Sequence, residues 1–256
     1  MSNTPKSVWS YDAIAAVYAT DMGRSMPFDD VAWYRTVCQA QGGPSLELGC
    51  GTGRILIELL AAGVDAFGAD RSLPMLQQLQ RDARSRQLTP RVAQMDLRAL
   101  AFEAKFATIL LPYSLITYLT DTKLARDVLT RLRTLLTGDG VVVLDAFVPQ
   151  AVSSFDDFRL DYRRPHGDGV LERHKRITAN ADGTNRIERR YRLFDANQMQ
   201  REEFFTDETI RPYATDALQT LATAAGYEIV RWVWDYDTRS DAHGARFASA
   251  LLRART

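Results

Sequence analysis

Leu46-Glu47-Leu48-Gly49-Cys50-Gly51-Thr52-Gly53-Arg54 is the stretch on which this chain turns. A short apolar run enters it, three glycines alternate through it, and the helix-like pattern I-L-I-E-L-L-A-A from Ile55 to Ala62 leaves it. A strand that turns on glycines into a helix N-terminus is a nucleotide-type binding device. Glycine tolerates φ > 0, and its missing Cβ lets a ligand lie against bare backbone. The spacing is G-x-G-x-G, with Arg54 where the dinucleotide fingerprint would place its last small residue, which argues against NAD.

Working outward, the helix leaving the turn should end at Gly63, and Val64 to Asp70 (V-D-A-F-G-A-D) reads as a second strand closing on an acid. Asp70 lies 17 residues past Gly53. A carboxylate there can accept from both hydroxyls of a ribose, one on each oxygen, while Ser72 is the better cap for the next helix. Arg91 to Leu97 contains a third strand closed by Asp96, a position that also suits a plain turn former. Phe106 to Leu111 is a buried fourth strand, followed by the loop P-Y-S-L-I-T-Y-L. Ligands of open parallel sheets sit at the carboxyl ends of strands, so Tyr113, Ser114 and Tyr118 are candidate contacts. Asp121 to Leu136 is an amphipathic helix, and Thr137 to Gly140 a turn into a fifth strand, Val141 to Phe147.

The order of these features resembles the class I S-adenosylmethionine-dependent methyltransferases. E-L-G-C-G-T-G resembles their first motif, and L-L-x-G-D-G-x-x-x-x-D-x-F-x-P, with Asp145 and Pro149, resembles their fifth-strand passage. The resemblance implies a Rossmann-like α/β fold, with a seven-stranded, mostly parallel sheet and helices on both faces. It implies S-adenosyl-L-methionine as cofactor and S-adenosyl-L-homocysteine as product. Glu47 would hold the cofactor's amino group, directly or through water. Gly49, Cys50, Gly51 and Gly53 would approach its amino-acid and ribose parts, and Asp70 its ribose. Arg71 and Met75 would flank the adenine, and Asp96, with the amide of Leu97, would hydrogen-bond it. Leu111, at the end of the fourth strand, completes the cofactor set. An N-terminal segment, Y-D-x-x-A-x-x-Y, would place Tyr18, with Tyr11, as a lid. It reads as one helix from Tyr11 to Tyr18, with the first ten residues loose. Val31 to Cys38 reads as a second helix, ended by Gln41 to Pro44.

The pattern changes after Pro149. Phe158 to Arg163, Val170 to Ala179 and Arg186 to Phe194 alternate apolar and charged residues around a turn at Ala181 to Thr184, as antiparallel strands with one wet face do. The division expected is therefore 1–150 with 207–256 for the cofactor-binding domain, and 151–206 for a small antiparallel β insert. The resemblance would lay that insert over the acceptor site. Thr215 to Ala225 returns as a helix, Tyr227 to Trp234 and Phe247 to Leu252 as strands, with Asp235, Tyr236 and Asp237 in a turn between them.

The acceptor side is read from residue types. His166 and His174 are candidate general bases, and Tyr113 a candidate catalytic contact. Tyr11, Tyr18, Tyr113, Tyr118 and Tyr191 could wall a pocket that favours cationic groups. Between Asp157 and Arg192 stand ten Lys/Arg against six Asp/Glu. Arg173 or Arg189 could clamp a carboxylate on the acceptor. The expected activity is methyl transfer to N or O of a small-molecule metabolite, an amine or a carboxylate-bearing compound. Cyclisation of the cofactor and nucleic-acid methylation are the alternatives. With 32 basic and 32 acidic residues, no global field points to nucleic acid. Cys38 and Cys50 form neither a disulfide framework nor a metal cluster, and no apolar run approaches a membrane span. The expectation is a cytoplasmic protein without metal, acting on a small molecule, whose insert could alternatively form a homodimer interface.

Overall fold

The computed structural model describes residues 10–22 and 28–255. The expected loose N-terminus lies at residues 1–9, outside the described residues. In chain order the helices are α1 (Ser10–Ile14), α2 (Tyr18–Met22), α3 (Asp30–Gln41), α4 (Leu56–Ala61), α5 (Leu73–Ser85), α6 (Thr122–Arg133) and α7 (Thr215–Ala224). The strands are β1 (Ser45–Leu48), β2 (Ala66–Asp70), β3 (Arg91–Gln94), β4 (Phe106–Leu111), β5 (Leu136–Phe147), β6 (Phe155–His166), β7 (Gly169–Ala179), β8 (Asn185–Phe194), β9 (Gln200–Ile210), β10 (Tyr227–Trp234) and β11 (Phe247–Ala254). They form two compact units, Pro27–Gln150 with Arg211–Thr256, and Met1–Met26 with Ala151–Ile210.

The first unit holds a seven-stranded sheet in the order β10-β11-β5-β4-β1-β2-β3. Strands β1 to β5 run parallel, and β11 alone is reversed, antiparallel to β5 on one side and to β10 on the other, so that β10 runs in the sense of β1 to β5. β1 and β4 are buried along their whole length, as central parallel strands are. Alternation splits their side chains between two layers. Leu46, Leu48, Ile109, Leu111 and Leu144 join Val128, Leu129 and Leu132 of α6 and Leu218 and Leu221 of α7. The opposite face carries Glu47 and Asp145 towards α3 and α4. Caps fix where the helices begin. Asp29 accepts from the Ala32 amide for α3, Ser72 from Met75 for α5, and Asp121 from Lys123 and Leu124 for α6. Gly63 and Gly226, at φ +76° and +83°, turn the chain out of α4 and α7.

Two local expectations are corrected. Thr137 to Gly140, read as a free turn, lie inside β5. Leu136 already pairs with Phe106, and the register shifts before Thr108 meets Val141. A Cβ on Gly140 would stand 2.9 Å from the Phe106 carbonyl oxygen, so the glycine makes a bulge against β4. The loop Pro112 to Leu119 contains a 3₁₀ turn, Leu115–Tyr118.

The second unit is an antiparallel meander, β6-β7-β8-β9, together with α1 and α2. The turn at Ala181 to Thr184 is present, with Gly183 at φ +81° and Asp182 accepting from the Thr184 amide and hydroxyl. β9 is a strand the sequence reading did not delimit. The single helix expected from Tyr11 to Tyr18 is broken into α1 and α2 by a turn at Ala15 to Val17, which buries Ile14, Val17 and Asp21 together.

Candidate active site

The first unit gathers Glu47, the glycine turn, Asp70, Asp96 and Tyr113 at the carboxyl edge of its parallel strands. Gly49 and Cys50 both donate their amides to the Ala69 carbonyl, at 2.7 and 3.1 Å, which ties the turn to β2. Gly49, Gly51 and Gly53 all have positive φ. At Gly51 a Cβ would meet only the Gly49 carbonyl oxygen, at 3.9 Å, so the backbone there faces open space. At Gly53 a Cβ would fall 2.7 Å from Leu79, so this glycine serves packing.

Asp70 binds the turn to the next helix. Its carboxylate accepts from the Gly51 amide at 2.8 Å and from the Ser72 amide at 2.7 Å, one on each oxygen. Glu47 is 3 % exposed, and its Oε2 is buried with no hydrogen-bond partner. Burial pushes its carboxyl up to about 8, against the charge of Arg54 and the amide of Leu56. A buried acceptor without a donor costs about 1–3 kcal/mol, so this atom is built for a cationic or hydrogen-bonding guest.

The other cofactor-side residues divide by what their side chains touch. Cys50 is turned into the interior, where burial raises its thiol well above the usual value, so its backbone alone faces the turn. Met75 is 1 % exposed and Leu111 is fully buried in the core. Leu97 is half-buried and packs on the same core. Arg71 is exposed, with Nε 3.8 Å from Asp96. Asp96 caps a 3₁₀ turn (Leu97–Ala99) and binds the Arg98 side chain with both oxygens. These bonds hold its carboxyl below the usual range.

A second polar cluster lies behind the loop after β4. Asp145 is fully buried, and its Oδ2 accepts from the hydroxyls of Tyr34, at 2.6 Å, and Tyr236, at 2.5 Å. Its Oδ1 lies 3.4 Å from the Ser114 amide. Burial raises this carboxyl to about 6, against the donations of the two tyrosines. The Phe147 amide donates to Ser114 Oγ at 2.7 Å. Tyr113 stacks on Phe247 at 5.8 Å, with the Arg54 guanidinium 5.8 Å from its ring, and Arg54 is bidentate to buried Asp30. Tyr113 and Ser114 stand at φ +49° and +61°, and Asp235, Tyr236 and Asp237 at +47°, +57° and +69°. A left-handed backbone costs a non-glycine residue about 1–2 kcal/mol, so both segments are held by their surroundings. The sequence reading missed Tyr34, Tyr236, Asp30 and the role of Asp145. Tyr34 and Asp145 are 111 residues apart, and no local pattern joins them. Tyr118 is half-buried in the 3₁₀ turn.

The second unit holds the remaining acceptor-side candidates. Asp21 is 5 % exposed and accepts from Arg173, at 2.5 Å, and from the hydroxyls of Tyr162 and Tyr191. Arg173 Nε and Nη2 both donate to one oxygen of Asp161, Oδ2, at 2.9 and 2.6 Å. Its charge is thus matched inside its own unit, with carboxylates where an acceptor's carboxylate was expected. Arg189 pairs with Glu208, which is 6 % exposed. Tyr191 is fully buried, stacked on Phe204 at 4.9 Å, and burial raises its hydroxyl above the usual value. His166 Nδ1 meets Thr20 Oγ1 at 2.8 Å. His174 sits opposite Arg190, its Nδ1 buried without a hydrogen bond, and burial lowers its pKa. Tyr11 and Tyr18 stand edge to face, 6.2 Å apart. Among the described residues no cluster of three metal-ligating side chains occurs, and no helix is long and apolar enough to cross a membrane.

Comparison with known proteins agrees with this geometry. Residues 46–140 match the methyltransferase domain family. A search of curated proteins found no match. Among solved structures, an S-adenosylmethionine-dependent methyltransferase from Clostridium acetobutylicum aligns over 96% of this chain and 99% of its own, at 18% identity and a TM-score of 0.78. The CcbJ methyltransferase from Streptomyces caelestis aligns over 97% and 99%, at 21% identity and 0.76. The sugar N-methyltransferase KedS8 from Streptoalloteichus aligns over 100% and 99%, at 20% identity and 0.72. The fold is therefore that of the class I methyltransferases. The segment from β1 into β5 is thus similar to the methyltransferase domain family.

Proposed function

We propose that this chain transfers a methyl group from S-adenosyl-L-methionine to a nitrogen of a small-molecule amine. The observation that carries the cofactor is the set at the carboxyl edge: the unpartnered buried Oε2 of Glu47, the open backbone at Gly51 and the Asp70 carboxylate held at the turn by the Gly51 and Ser72 amides. These fit a group with an ammonium at one end and a ribose diol in its middle. Bound there, S-adenosyl-L-methionine supplies an already activated methyl on a sulfonium centre.

The protein's task is then alignment, which can supply about 7–11 kcal/mol of a barrier. Glu47 would anchor the amino-acid end and Asp70 the ribose, fixing where the sulfonium points. Tyr113, held on Phe247 and beside Arg54, supplies an aromatic wall at the end of β4. A neutral amine brings its own lone pair and needs no base in the protein, so the reading does not depend on His166 or His174. Nitrogen is favoured over oxygen because KedS8 is a sugar N-methyltransferase and CalS10 from Micromonospora an amino pentose methyltransferase.

The test is incubation of the purified chain with S-adenosyl-L-methionine and a panel of amino sugars, simple amines, phenols and carboxylates, reading S-adenosylhomocysteine and the mass of the product. Turnover confined to amines supports the proposal. Turnover confined to phenols moves the reaction to oxygen. Release of methylthioadenosine without an acceptor replaces methyl transfer by cyclisation.

A further inference from the structure

Asp145 joins two segments of the chain that no sequence pattern connects. One is the loop after β4, where Tyr113 and Ser114 take up left-handed backbone at φ +49° and +61°. The other is the turn after β10, where three successive non-glycine residues, Asp235 to Asp237, do the same. Asp145 meets the first through the Ser114 amide at Oδ1 and the second through the Tyr236 hydroxyl at Oδ2. Tyr34 of α3 holds the same Oδ2 from a third side. The turn is itself fastened to β11, because Asp235 Oδ1 accepts from the Arg246 and Phe247 amides, both at 2.8 Å. Phe247 is the ring on which Tyr113 stacks. The loop thus rests on the turn twice, through Asp145 and through Phe247.

We propose that Asp145 is a positioning residue for the site, a buried carboxylate that locks the Tyr113–Ser114 loop onto the Asp235–Asp237 turn and so sets where Tyr113 meets the amino-acid end of the cofactor. Proximity to that end rests on the reading of the glycine turn given above. The lock itself rests on the hydrogen bonds alone.

The two sides of the carboxylate can be separated by substitution. In Asp145→Asn the amide oxygen can still accept from both phenols, and its NH₂ then faces the Ser114 N–H, donor against donor. The arm to the loop is cut while the arm to the tyrosines survives. Tyr236→Phe cuts the arm to the turn, and Tyr34→Phe keeps the ring that packs edge to face on Tyr236 at 5.7 Å while leaving both of Asp145's bonds to the strained segments in place.

The experiment measures amide hydrogen exchange in the full chain, wild type and these three variants, together with calorimetric titration by S-adenosylhomocysteine and, separately, by adenosine. Adenosine shares the nucleoside and lacks the amino-acid part. In Asp145→Asn, exchange over Pro112 to Leu119 should rise at least tenfold. S-adenosylhomocysteine should weaken at least fivefold, with adenosine changed less than twofold. Tyr236→Phe should speed exchange over residues 235–238, and Tyr34→Phe, which spares both of Asp145's bonds to the strained segments, should change exchange there less than Tyr236→Phe does at the turn or Asp145→Asn does at the loop. The proposal is overturned if Asp145→Asn leaves loop exchange unchanged, or if both ligands weaken by the same factor, as general loosening would produce. Should Asp145→Asn fail to fold, Tyr236→Phe decides: unchanged exchange at residues 235–238 overturns the lock. If wild type binds neither ligand, the cofactor reading fails, and loop exchange still judges the lock on its own.

Discussion

Glu47 carries the sharpest prediction of any single residue. Its carboxyl titrates near 8 in the fold and near 4.5 in an unfolded chain. The folded state holds its proton over that interval and the unfolded state does not. The group's contribution is therefore most favourable below about pH 4.5, falls as pH rises and levels off above about 8. Asp145, raised to about 6, acts in the same direction over a narrower window. Glu47→Gln removes the charge, so the variant's melting temperature relative to wild type should become more positive between about pH 5 and 8 in thermal scans. An ammonium placed on Oε2 favours the ionised form. Binding of S-adenosylhomocysteine near pH 7 should then release a proton. Titrations in phosphate and Tris, which differ in ionisation enthalpy, read that release, and Glu47→Gln should abolish it. Equal heats in the two buffers for wild type would place the ammonium elsewhere.

Among the elements, the glycine turn separates packing from binding. Gly53→Ala puts a Cβ 2.7 Å from Leu79 at φ +89°, so it should cost about 2–4 kcal/mol of stability, read by urea unfolding. Gly51→Ala, at φ +52° with open space around it, should cost only about 1–2 kcal/mol. It should weaken S-adenosylhomocysteine binding far more than its stability loss explains. The sequence made this element readable because alternating glycines between an apolar run and a helical pattern have few other uses. Most strands and caps were equally local, and their residues declared them, as Ser72 did. The bulge at Gly140 was not, because Thr137 to Gly140 has turn composition and only the pairing with β4 makes it strand. Tyr34, Asp145 and Tyr236 were illegible for the same reason, since residues so distant in sequence meet only after the sheet has formed. Arg173 was legible as a charge but not as a partner, because Asp21 lies 152 residues away.

At the scale of the whole molecule, the chain holds a seven-stranded sheet with the methyltransferase fold and a four-stranded antiparallel meander, each with its own buried polar cluster. Asp21 is the acceptor at the centre of the meander's cluster. Asp21→Ala leaves Arg173 with Asp161 alone and strips two phenols of a partner, which should cost about 3–5 kcal/mol. Hydrogen exchange should then accelerate across residues 155–210, while β1 and β4 keep their protection. Loss of protection in β1 and β4 to the same degree would mean that the two units unfold as one. The central claim, that the first unit is built to hold S-adenosyl-L-methionine, is tested most directly by calorimetric titration of the wild-type chain with S-adenosylhomocysteine, with NAD as the control. The account predicts saturable binding of one S-adenosylhomocysteine per chain and no heat from NAD. A folded protein that takes up NAD and leaves S-adenosylhomocysteine unbound would contradict it.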